Sequence, residues 1–117
     1  MPSGPEFEGH RLLRLQELLL EELRGLVRDD VHDPAVAGAI ITALVLSVDY
    51  RHARVHFALP KSGDDDRGPR DRAMRVFERV TPFLRARLAE GIDLKRVPDL
   101  RFVFDATLVE SSEKADR

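Results

Sequence analysis

The chain has 117 residues, of which 43% are hydrophobic and 34% charged, and carries a formal net charge of -2. That length closes one modest core and not two. Without cysteine there is neither a disulfide framework nor a thiolate metal site. No apolar run approaches the ~18 residues of a membrane span, and the N-terminus lacks the basic-then-apolar order of a signal peptide, so a soluble cytoplasmic protein is expected.

In chain order, residues 1–7 read as a flexible arm. From Glu8 to Val27 the recurrence of Leu12, Leu15, Leu19, Leu23 and Leu26 predicts an amphipathic helix, with Leu13, Leu20 and Val27 widening its apolar face. Two heptads are too few for a coiled-coil seam, so the stripe is expected to pack on a sheet. Asp33-Pro34 and Gly38 then supply turns. Residues 40–59 read as two strands: IITALVLSV is rich in β-branched residues, and Val55, Phe57 and Leu59 alternate with Arg54, His56 and Ala58. Asp49 to His52 is short enough for a hairpin, which makes the strands antiparallel neighbours.

A polar loop, Pro60 to Pro69, leads to the stretch around which the expected function is built. Ala73, Val76, Phe77 and Val80 recur at helical spacing, as do Leu84 and Leu88 beyond Pro82. A proline inside a helix lacks an amide hydrogen and clashes with the carbonyl four residues back, at a cost of roughly 3 kcal/mol. The spacing therefore predicts two short helices, with Thr81 as N-cap and Pro82 as the first residue of the second. Gly91 is placed to end it, and Pro98 precedes a last strand, Leu100 to Phe104. A helical crossover brings that strand in parallel to its predecessor. The predicted order is αββααβ, a single α+β domain over residues 8–109 with helices on one face of a three-stranded mixed sheet, followed by a disordered tail over 110–117.

Charge is segregated along the chain. Residues 67–101 carry a net +5, residues 1–66 a net -5 and the remainder -2. Arg72, Arg75 and Arg79 fall at i, i+3 and i+7 and form a stripe leading to Pro82, with Arg85 and Arg87 just beyond. Such a stripe reads either as a solvated helix face or as a surface that meets phosphates.

No enzyme site emerges. His52 and His56, four apart on a strand, stand about 13 Å apart, too far to share a metal. His10 and His32 have no spacing partner, and Asp64-Asp65-Asp66 lacks the glycine turn and terminal glutamate of a calcium loop. Neither a Walker motif nor GxGxxG is present, and no serine sits in a nucleophile elbow. No catalytic residue, metal or cofactor is expected.

The chain resembles ribosome-binding factor A, the bacterial assembly-factor family of the small ribosomal subunit. The resemblance rests on the order and spacing of several short matches: Arg11 and Arg14; Asp33-Pro34; Ser47, Asp49, Ala53 and Val55; Phe83-Leu84-Arg85; Val97-Pro98-Asp99-Leu100; and Phe102, Asp105 and Leu108. It implies a type II KH-like fold in which an Ala-x-Gly kink between two helices replaces the usual GxxG loop. Val80-Thr81-Pro82 occupies that position here, keeping a kink through proline but losing one amide donor, and leaving the amides of Phe83 and Leu84 as donors at a helix N-terminus.

The function implied is non-catalytic. It is binding to 16S rRNA in the immature 30S subunit, as a monomer without membrane or small-molecule ligand, in support of late maturation, 16S rRNA processing and cold adaptation. The residues implied are Arg72, Arg75, Arg79, Arg85 and Arg87 for charge, Thr81 and Pro82 at the kink, and Lys95 and Arg96 extending the patch. The alternative is a small protein-interaction or regulatory module whose arginines only solubilise it.

Overall fold

The computed structural model describes residues 4–60 and 67–107. Helix α1 spans Gly4–Asp30, a single 3₁₀ turn spans Pro34–Val36, strands β1 and β2 span Ile40–Leu46 and His52–Leu59, helix α2 spans Arg67–Gly91, and strand β3 spans Asp99–Thr107. The first helix thus begins before Glu8 and runs past Val27. Residues 1–3, the acidic run 64–66 and the tail expected over 110–117 lie outside the described residues.

The sheet has the order β1-β2-β3. β1 pairs with β2 antiparallel and β2 with β3 parallel, as hairpin and crossover require. Register assigns each face. Leu44, Val55 and Phe102 stand side by side across the three strands and are buried, whereas the neighbouring row of Val45, Arg54 and Arg101 is exposed. Both helices cover the inner face: Leu19, Leu23 and Leu26 of α1 and Ala73, Phe77, Leu84 and Leu88 of α2 share one core with it. Leu13, expected to widen the apolar face of α1, is exposed instead.

Phe77 is the hub. Its ring stacks on Phe102 at 4.5 Å between centroids and meets Phe57 edge-on at 4.9 Å, and Phe57 in turn meets Phe104 at 5.7 Å. One side chain of α2 therefore joins two adjacent strands through geometries that aromatic quadrupoles favour.

The expected division into two helices does not hold. α2 is one continuous helix with Pro82 in its interior, so the order of the regular elements is αββαβ and Thr81 is no N-cap. Packing explains why. The core-facing positions Phe77, Val80, Leu84 and Leu88 keep helical spacing straight across the proline, and Phe77, Leu84 and Leu88 are fully buried. Each such side chain contributes roughly 1.5–3 kcal/mol on burial, which together outweighs the roughly 3 kcal/mol that an interior proline costs. Pro82 itself is on the exposed side, where water can serve the carbonyl of Glu78 left without its helical donor. The Thr81 hydroxyl donates to the Phe77 carbonyl one turn back, at 2.7 Å, the back-bonding that threonine adopts inside helices.

Strand β1 is an edge strand, and α1 manages its free polar groups. The amide of Leu46 donates to Gln16 Oε1 at 2.8 Å, and Arg24 Nε donates to the Ile41 carbonyl at 2.9 Å, beside the register shift between Ile41 and Ala43. Replacing Gln16 with leucine strands a partly buried amide, an expected loss of about 1–3 kcal/mol. A lower urea midpoint with an unchanged slope would show it.

Candidate nucleic-acid interface

The residues expected to form one basic patch are divided by α2 between two flanks. On the flank facing the end of α1 and the 3₁₀ turn, Arg79 Nη2 pairs with Asp33 Oδ2 at 3.0 Å and Arg87 Nη1 with Asp30 Oδ2 at 3.3 Å, while Arg87 also approaches Glu90 at 3.4 Å. Asp33 accepts from the Ala35 amide at 2.9 Å, capping the turn, and this bond together with the Arg79 guanidinium holds its carboxyl below the usual carboxylate range. Arg72 and Arg75 lie on the same exposed stripe and form no ion pair among the described residues. They are the uncompensated charges of that face.

Arg85 faces the other way. Its Nη2 donates to the Val97 carbonyl at 2.8 Å and its Nε to the Pro98 carbonyl at 3.1 Å, and it lies 3.5 Å from Asp99. This is a clamp that fastens the lead-in of β3 to α2. Arg85→Ala should lose about 1–3 kcal/mol, since two carbonyls lose a charged donor, whereas Arg72→Ala should stay within about 0.5 kcal/mol as an exposed change. Comparing the two urea midpoints separates the roles.

The kink also changes character. Because Thr81 and Pro82 are interior to α2, no helix N-terminus exists there. The amides of Phe83 and Leu84 belong to the helical ladder, and the Thr81 hydroxyl is committed to Phe77. The backbone phosphate site that a break would have created is absent.

Lys95 and Arg96 do not extend the helix stripe. With Arg11 of α1 and Arg51 of the β1–β2 turn they line a separate cleft of about 710 Å³. Arg51 and Arg96 also share a smaller adjoining hollow with Arg85. Arg51 stands in the link between β1 and β2 and Arg11 on the exposed side of α1. No local periodicity connects them, since they meet only through the fold.

Comparison with known proteins decides the family. The family model for ribosome-binding factor A matches residues 11–116. The chain is a member of the ribosome-binding factor A family. It is 35% identical over 100 residues to ribosome-binding factor A of Heliobacterium modesticaldum, covering 86% of this chain and 79% of the relative. To that of Hyphomonas neptunium it is 33% identical over 113 residues, covering 94% and 82%. The crystal structure of ribosome-binding factor A from Thermus thermophilus superposes with a TM-score of 0.65 at 24% identity, over 79% of this chain and 93% of that one. A second similar structure is the Thermus thermophilus factor as fitted into a cryo-EM map of a 30S complex, with a TM-score of 0.59 and 25% identity over 76% and 89%. The fold is therefore the family's KH-like α+β fold, with α2 here running unbroken through Pro82. No helix among the described residues is long and apolar enough to cross a membrane.

Proposed function

We propose that this chain binds the small ribosomal subunit through phosphates of 16S rRNA and, without catalysing a reaction, assists late maturation of immature 30S particles in the cytoplasm. Arg72 and Arg75 make the principal contacts on the helix stripe, with Arg79 and Arg87 contributing charge moderated by Asp33 and Asp30. The observation that carries this reading is membership of the ribosome-binding family combined with two uncompensated arginines on an exposed helix face of a chain that is otherwise net acidic. Local positive charge on an acidic molecule attaches to a polyanion at one surface without general stickiness. Processing of 16S rRNA and growth in the cold belong to the same reading: a factor that holds one local rRNA arrangement matters most when misfolded RNA rearranges slowly.

The test is co-sedimentation of the purified protein with immature and mature 30S particles at low and high salt. Binding that prefers immature particles and is lost at high salt is expected. Equal pelleting with any ribosomal particle, or none with 30S, contradicts it.

A further inference from the structure

The cleft between the β1–β2 turn and the loop 92–98 is not accounted for by the helix stripe. Arg51, Lys95 and Arg96 are exposed and form no ion pair among the described residues, in contrast to Arg79, Arg85 and Arg87, each of which has a carboxylate within 4.0 Å. They bring three exposed cations from two separate segments to one concavity, beside the carboxylates of Asp49 and Asp93. Like charges gathered this way repel one another, and an anion relieves that repulsion.

The backbone that carries Arg51 is rigidly held. Its amide donates to Asp49 Oδ1 at 3.1 Å, its carbonyl accepts from the Asp99 amide at 2.8 Å, and Ser47 Oγ ties the turn together by donating to Asp49 and accepting from the His52 amide. The residue before it, Tyr50, has φ +67°, a left-handed conformation that costs a bulky side chain energy and is retained where the surroundings enforce it. Tyr50 and Leu94, both half-buried against the core, give the cleft an apolar wall.

We propose that this cleft is a second RNA site that takes an unpaired nucleotide, its phosphates on Arg51, Lys95 and Arg96 and its base against Tyr50 and Leu94. The inference rests on the rRNA-binding reading and gives the protein two contacts of different kind. A cleft of about 710 Å³ has the size of a small-ligand site and admits no duplex, while a cationic rim beside an aromatic wall is the arrangement that holds single strands. A duplex would instead lie across the exposed stripe of Arg72 and Arg75. The protein then bridges a paired and an unpaired segment of the same RNA.

Fluorescence anisotropy with a labelled oligouridylate of about ten nucleotides, and with a duplex RNA of equal length, tests this using the full chain. Arg51→Gln/Arg96→Gln should weaken oligouridylate binding about tenfold and reduce the salt slope by about 1.4, or 0.7 per single-strand phosphate. Arg72→Ala/Arg75→Ala should leave that binding nearly unchanged and weaken the duplex instead. Lys95→Ala/Arg96→Ala, confined to the loop, repeats the cleft test should the turn variant unfold. Unchanged oligouridylate affinity in the folded cleft variants, equal losses from stripe and cleft, or no binding by the wild-type protein overturns the proposal. Retained co-sedimentation of the wild type with 30S in that event confines the failure to the cleft, whereas its loss removes the functional reading as well.

Discussion

Phe77→Ala is expected to cost about 3–5 kcal/mol, the range for removing a buried aromatic ring. Stabilities of small domains are about 5–15 kcal/mol in total, so the variant should be marginal or largely unfolded at 37 °C. The ring is fully buried and touches both Phe57 and Phe102, so through it α2 grips β2 and β3 together. Its removal forfeits the transfer free energy, leaves a cavity and breaks a stacked pair that alone contributes about 0.5–1.5 kcal/mol. Phe77→Leu keeps most of the volume and should lose clearly less. Urea unfolding followed by far-UV circular dichroism gives both values. Equal midpoints for Phe77→Ala and wild type would mean that α2 does not dock as described.

Arg72→Ala/Arg75→Ala should do the opposite: little to stability and much to binding. Both side chains are exposed and hold no carboxylate among the described residues, so each truncation stays within about 0.5 kcal/mol of wild type. Binding to 30S should fall by an order of magnitude or more if the two proposed phosphate contacts are lost. Arg79→Ala should weaken binding less, since Asp33 already offsets much of that charge. An unfolding midpoint that drops together with affinity would assign these arginines to the fold instead.

Much of this architecture is written in local pattern. The alternation of Val55, Phe57 and Leu59 and the β-branched run before it yield two strands, the short link makes them antiparallel, and the long crossover makes β3 parallel. Helix α2 shows where local rules lose to packing. Pro82 read alone is a breaker, yet Val80 and Leu84 stand four apart across it, so the apolar spacing already carried the continuous helix.

The candidate interface was legible only in part. The stripe of Arg72, Arg75 and Arg79 is a matter of helical spacing and stands where it was expected. The pairing of Arg79 with Asp33 and of Arg87 with Asp30, and the clamp of Arg85 on Val97 and Pro98, depend on contacts between distant segments. The cleft around Arg51 and Arg96 is of the same kind: three stretches of chain converge there, and no periodicity in any one of them foretells the meeting.

The salt dependence of binding to purified immature 30S particles tests the central claim most directly. Plotted as the logarithm of affinity against the logarithm of salt concentration, the wild-type protein should give a steep straight line, falling by about 0.9 per phosphate contacted on paired RNA, and Arg72→Ala/Arg75→Ala should be shallower by about 1.8. A flat line for the wild type, or parallel lines for the two proteins, would contradict recognition of the ribosome through phosphates on this helix.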